Sequence, residues 1–195
     1  MTEIFDAEGR AFPATVISAG PVVVTQVKSK TTDGYEAVQV GFGEQKESRI
    51  SKAVKGHLKT LGNFRHLEEF RIDAPSMKVG DKIDVSNFKV GENISVRSLS
   101  KGKGFQGGVK RYHFKGGPRT HGQKHSEREV GTISGGGRGG SGRVAKGKRM
   151  PGRMGSDMVT VRNLSILQVD AATNTLVVKG SLPGNRGGLV RIIAK

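Results

Sequence analysis

The chain has 195 residues with no Cys and no Trp, and 33 Lys and Arg stand against 17 Asp and Glu, a net charge of +16. That length suits one main core, and the missing thiols exclude disulfides and every cysteine-based zinc module. No apolar run approaches the roughly 20 residues of a membrane helix, and Met1–Asp6 lacks the basic segment and apolar run of a secretory signal, so the expectation is a cytoplasmic protein with an anionic partner.

From the start, Phe12–Ile17 and Val22–Val27 are β-branched runs of strand length, and Ala19-Gly20-Pro21 between them predicts a hairpin. After the turn signal Asp33-Gly34, alternation of Val38, Val40 and Phe42 gives a third strand. Ser48–Leu61 changes period: Ile50, Ala53, Val54, Leu58 and Leu61 fall at helical spacing, with Ser48 to cap the start and Gly62 the end. The outer face of this helix carries Arg49, Lys52, Lys55 and Lys59, and such a face is ordinarily a solvated one. Alternation at period two returns in Leu67–Asp73, Lys82–Phe88 and Asn93–Leu99.

Lys101–Gly155 differs in kind. It holds 14 of the 33 basic residues against only Glu127 and Glu129, a net +12, and 17 of the 30 glycines. Its apolar residues are too thinly spread for a core, its like charges repel, and unstructured loops beyond about 12–15 residues are uncommon unless functional or disordered. A polyphosphate surface would supply the charge-assisted contacts that order it, and its glycine content argues against the amphipathic helix that an anionic membrane would require. RNA is therefore the expected partner, with no membrane.

Beyond it, Val159 and Val161 share one parity while Leu164 and Ile166 take the other, which predicts a bulge near Arg162-Asn163. Thr175–Lys179 and Leu189–Ile193 complete the strands. Strands on both sides of the basic stretch need each other to close a sheet. The expected architecture is mainly β: a β-barrel from residues 1–100, including a helix near 48–61, and from residues 156–195, with 101–155 inserted as a long glycine-rich basic arm.

Two spans match the dinucleotide fingerprint G-x-G-x-x-G, Gly102–Gly107 and Gly137–Gly142. A glycine-rich window produces such matches by chance, and after Gly107 neither a helical pattern nor the second strand of a nucleotide fold follows. Gly142–Lys148 has the spacing of a phosphate-binding loop, but Arg149 stands where a magnesium-binding Ser or Thr is required. His121 and His125 are four apart, with Gly122 weakening any helix between them and no third metal ligand in place. Acids are scarce where the sequence is unusual, so neither a catalytic constellation nor a cofactor or small-molecule site is expected.

What remains is RNA binding. Lys101, Lys103, Lys110, Arg111, Lys115, Arg119, Lys146, Lys148, Arg149 and Arg153 are the expected phosphate ligands, joined by Arg138 and Arg143. Phe105, Tyr112, His113 and Phe114 offer faces for unpaired bases, and His121 offers a ring or a donor. The glycines let RNA approach the backbone closely or let the chain turn with φ > 0.

Ser100-Lys101-Gly102-Lys103-Gly104-Phe105-Gln106-Gly107, then Lys110-Arg111, Thr120-His121-Gly122 and Lys146–Gly155, closely resemble the bacterial form of the L-three family of large-subunit ribosomal proteins. The resemblance continues through Val159-Thr160-Val161, Val169-Asp170 and Val178-Lys179-Gly180 to Pro183-Gly184, and before the arm through Asp33-Gly34-Tyr35, Gly56-His57 and Val79-Gly80-Asp81, so it covers essentially the whole chain. It implies a translation-protein-type β-barrel whose arm runs through large-subunit rRNA toward the peptidyl-transferase centre. It also implies an early assembly role and neighbouring large-subunit ribosomal proteins as partners. Two features depart from the family. Its usual glycine- and lysine-containing segment before Met-Thr is not matched, and Ser134–Gly142 has no Gln to carry the methylation of some bacterial members. The rival expectations are a free RNA chaperone, whose flexible segment would normally sit at a terminus, and a nucleotide-dependent enzyme using Gly102–Gly107.

Overall fold

In the computed structural model, which describes residues 1–6, 8–73, 76–133 and 144–194, the chain divides into two compact units. One comprises Met1–Ser95, Arg162–Ser181 and Ile193–Lys195, the other Val96–Val161 and Leu182–Ile192. The strands before the basic stretch are β1 (Thr2–Phe5), β2 (Ala11–Ser18), β3 (Val22–Lys28), β4 (Ala37–Glu44), β5 (Phe64–Phe70), β6 (Lys82–Ile83) and β7 (Asn93–Leu99). Within and after it come β8 (Phe105–Gln106), β9 (Gly152–Arg153), β10 (Met158–Asp170), β11 (Thr175–Lys179) and β12 (Val190–Ala194). Three short helices interrupt them: α1 (Lys30–Asp33), α2 (Lys52–Leu58) and α3 (Gly108–Tyr112). The class is thus antiparallel sheets with few helices.

The strands form a six-stranded sheet in the order β1-β2-β11-β10-β7-β12, a four-stranded sheet β5-β4-β3-β6, and the pair β8-β9. In the four-stranded sheet, the alternation read from the sequence places Val38 and Val40 of β4 beside Val24 of β3. Val22, Val27, Phe70 and Ile83 pack against this cluster. β11 instead buries Leu176, Val177 and Val178 in succession, as a strand covered on both faces does. It pairs with β2 on one side, Leu176 opposite Ile17, and with β10 on the other. The β10–β11 turn is fixed by the Asp170 carboxylate, which accepts from the Ala172 amide at 3.0 Å and the Thr173 hydroxyl at 2.6 Å.

Several elements differ from expectation. β2 and β3 do not form a hairpin but lie in different sheets, because Pro21 has no amide to donate and the Ala19 amide donates to the Asn174 carbonyl instead, at 2.9 Å. The helix expected over 48–61 is shorter. A 3-10 turn covers Glu47–Arg49, Ile50 is extended, and α2 starts where the Ser51 hydroxyl, rather than Ser48, accepts from the Val54 amide. It stops where Lys59 takes a φ of 50°. β5 lies at Phe64–Phe70, ahead of the stretch expected at 67–73, and Ile72 is exposed. Of Lys82–Phe88 only two residues are strand; a 3-10 turn at Val85–Asn87 follows and buries Val85. In β10, by contrast, the expected bulge near Arg162-Asn163 has support: burial changes parity between Val161 and Leu164. Asn163 there has a φ of 58°, and the register against β11 shifts between Ile166 and Gln168.

One ion pair spans the four-stranded sheet. Lys28 on β3 reaches past Ala37, its neighbour on β4, and donates to Glu69 on β5 at 2.6 Å and to the Tyr35 hydroxyl at 2.7 Å. The hydrogen bond from Lys28 holds the Glu69 carboxyl below its ordinary range, and the same bond holds the Lys28 ammonium above its own. Glu69 therefore contributes stability that is complete above the ordinary carboxylate range and is lost as pH falls through its lowered value. Lys28 contributes stability that is complete below the ordinary lysine range and is lost as pH rises through its elevated one. Denaturant unfolding of wild type and Glu69→Gln should show a stability difference that is flat through neutral pH and shrinks in acid; a difference that grew in acid would contradict this pairing.

Candidate nucleic-acid interface

The unit Val96–Val161 with Leu182–Ile192 contains the described part of the basic stretch. Its two limbs return to each other at the root. The Ser100 amide donates to the Asp157 carbonyl at 2.9 Å, and the Asp157 amide donates to the Ser100 hydroxyl at 3.1 Å. The Lys103 amide then donates to the Met154 carbonyl and the Met154 amide to the Gly104 carbonyl, both at 2.9 Å. β8 and β9 continue the pairing, Phe105 opposite Arg153 and Gln106 opposite Gly152. Past the strands, the Arg111 guanidinium donates to the Met150 carbonyl at 2.8 Å and closes the root from the other end.

Two glycines make this return feasible. Gly155 has a φ of +75°, and a Cβ there would run into the carbonyl oxygen of Lys101; Gly104 has a φ of +66° in open space. At Gly102 a Cβ would stand 2.8 Å from the Ser156 hydroxyl. The close neighbour at Gly155 and Gly102 is protein, and the positive φ of Gly155 and Gly104 matches the expectation that such glycines let the chain turn. The chain's own hydrogen bonds tie the root together.

α3 follows Gly107, where the sequence showed no helical pattern. Five residues are too few to display a period, and its buried Gly108 has no side chain to mark the packed face. A Cβ on Gly108 would be 3.0 Å from both Phe114 and Val130, so those two side chains close over it. Farther along, the chain doubles back again: the Gly117 amide donates to the Glu127 carbonyl at 2.9 Å and Arg119 pairs with the Glu127 carboxylate at 2.7 Å. His121-Gly122 lies in a turn, not on a helix with His125, and among the described residues no cluster of three or more ligating side chains is placed to hold a metal.

The expected RNA ligands sort into groups. Lys101, Lys103, Lys110, His113, Lys115, His121, Lys146, Lys148 and Arg149 are exposed, and so is Phe105. Arg119 and Arg153 are exposed but paired with Glu127 and Asp157, the latter at 3.2 Å, while half-buried Arg111 is committed to Met150. Tyr112 is half-buried, with the Arg111 guanidinium 4.9 Å and the Arg149 guanidinium 5.7 Å from its ring centroid, and Phe114 is tilted against it at 6.0 Å. Arg138 and Arg143, with the rest of the tip, lie outside the described residues.

The contribution of Leu182–Ile192 to this unit was not expected from the sequence. The Ser98 hydroxyl donates to the Leu189 carbonyl at 2.8 Å, and Gly184 sits so close that a Cβ would be 2.8 Å from the Leu99 carbonyl oxygen. The signal was present as a second glycine-rich basic run, Pro183-Gly184-Asn185-Arg186-Gly187-Gly188, which adds an exposed Arg186.

Residues 71–177 match the family model described as ribosomal protein L3. The chain is similar to large ribosomal subunit protein uL3 of Corynebacterium jeikeium, at 49% identity over 193 residues covering 97% of this chain and 88% of that protein. It is similar in the same degree to uL3 of Dehalococcoides mccartyi, 49% over 193 residues with 98% and 92% covered. The protein of that name from Herpetosiphon aurantiacus is 48% identical over 194 residues, with 98% and 91% covered.

If Gly155 is what allows the limbs to meet, Gly155→Ala should loosen the root by about 1–3 kcal/mol. Tryptic cleavage among Lys146, Lys148 and Arg149 should accelerate accordingly. Gly107→Ala, at an ordinary φ with nothing near the added methyl, should cleave like wild type. Equal cleavage rates for all three proteins would contradict the role assigned to Gly155.

Proposed function

The chain belongs to the ribosomal protein L3 family, and on that premise we propose that it is a structural constituent of the large ribosomal subunit that binds large-subunit rRNA and catalyses nothing. The observation that carries the reading is the basic stretch itself: net charge +12 between residues 101 and 155, on a root whose hydrogen bonds leave most of its cations unpaired and facing solvent. A polyanion neutralises such a surface and releases its own counterions in doing so.

The finer reading has four parts. Residues 101–155 act as an arm between two parts of a translation-protein-type β-barrel, 1–100 and 156–195. The arm threads rRNA toward the peptidyl-transferase centre and supports early assembly. Lys101, Lys103, Lys110, Lys115, Lys146, Lys148 and Arg149 meet phosphates, with His113, His121, Arg119, Arg153, Arg138 and Arg143 alongside and Arg111 bracing the root. The protein works in the cytoplasm among neighbouring large-subunit ribosomal proteins. The family resemblance supports the barrel, the assembly role and the route of the arm; exposure and charge support the phosphate ligands.

A free RNA chaperone is the rival in the binding class. The return of the chain through paired limbs into β10 supports a built arm over a loose tether.

Replacing Lys148 and Arg149 with Gln should reduce co-sedimentation of tagged protein with large subunits after a high-salt wash. It should also flatten the logarithmic salt dependence of binding to single-stranded RNA by roughly 0.7 for each phosphate that is no longer neutralised. An unchanged slope together with normal incorporation would remove these two residues from the interface.

A further inference from the structure

We propose that the Phe105 ring and the Arg153 guanidinium form a stacking platform for one unpaired nucleobase of RNA. This deepens the rRNA-binding reading and rests on it. Residues directly opposite in an antiparallel pair project from the same face of the ribbon, and Phe105 and Arg153 are such a pair. Both point into solvent: Phe105 is 77% exposed and the Arg153 side chain 67%.

The other benzene-type rings of this unit cannot do the same. Tyr112 already has two guanidiniums near its ring, and Phe114 is packed over Gly108. Among the described residues of the unit, Phe105 is the one large aromatic ring left open. An apolar ring held in water on a paired ribbon gains when another group covers it, and a flat one covers its face most fully. Arg153 extends that surface, because its planar guanidinium stacks while keeping its charge. Asp157 holds the group from one side at 3.2 Å, an exposed pair weak enough to yield to a phosphate.

The occupant is read from the surroundings. Lys101, Lys103, Lys148 and Arg149 are exposed cations of the same unit, so the strand that brings the flat group is polyanionic. β8 and β9 are two residues each, which leaves room for a single base, not a run.

Because the chain has no Trp, Phe105→Trp installs a single indole reporter that preserves the stacking face. The full-length variant is titrated with a short single-stranded RNA and with an abasic sugar–phosphate strand of equal length. Quenching of indole emission by the RNA and little quenching by the abasic strand is the expected result. In parallel, Phe105→Ala should lose about tenfold in affinity for the RNA and none for the abasic strand, with the salt slope unchanged. Arg153→Lys, which keeps the charge and removes the plane, should lose several-fold on the RNA alone.

Emission that ignores a bound RNA, or wild-type affinity in Phe105→Ala, would overturn the platform while leaving the rRNA-binding reading intact. Full affinity in Arg153→Lys would overturn the part given to Arg153. Failure of the wild-type protein to bind either strand at low salt would overturn both readings.

Discussion

The backbone of Gly155 lies against the carbonyl of Lys101, and this approach sets the geometry of the root of the basic stretch. A side chain at residue 155 would hold the limbs apart, and the hydrogen bonds between Lys103, Gly104 and Met154 would not form. Closing a loop of this length costs entropy that grows slowly with its size, so a few well-placed contacts at the ends are sufficient to fix where the arm begins. The Ser100–Asp157 exchange, the β8–β9 pairing and the Arg111 bond to Met150 supply them. The loop at Leu182–Ile192, tied to Ser98 through Leu189, belongs to the same unit.

Once the limbs are paired, the charges have nowhere to go but outward. Few cations of the described arm are committed to protein, and two of those commitments, Arg119 with Glu127 and Arg153 with Asp157, are exposed ion pairs of the kind worth little in water. They position side chains without neutralising the surface. Protein-only hydrogen bonds thus tie the root together, while the remaining lysines and arginines repel one another, a repulsion that a polyanion would relieve. The same division separates Tyr112 from Phe105: one ring is used inside the fold and the other is offered outside it.

Strands were legible in part: Lys82–Phe88 alternates in sequence yet is mostly not strand, while other runs were placed well. Asn93–Leu99 and Thr175–Lys179 were read residue for residue, and Val38 and Val40 were placed correctly in the core. Local pattern failed where a distant partner decides. Ala19 gives its amide to Asn174, which dissolves the expected hairpin. The helix was misjudged for a local reason, since Ser51 rather than Ser48 receives the Val54 amide. The stretch 101–155 stood out from charge and glycine content alone. Its root did not, because Lys101 with Gly155 and Phe105 with Arg153 are far apart in sequence and leave no period. For the same reason composition offered Phe105, Tyr112, His113 and Phe114 alike as candidates for stacking.

The central claim is that the root folds on its own hydrogen bonds before any RNA is bound. Amide hydrogen exchange of the free protein, resolved to single residues, tests it most directly. The account predicts slow exchange at Ser100, Lys103 and Met154, whose amides are all donors across the root, and fast exchange at exposed Lys146 and Arg149. Exchange at Lys103 and Met154 as fast as at Lys146 would contradict it and leave the whole stretch to be ordered by RNA.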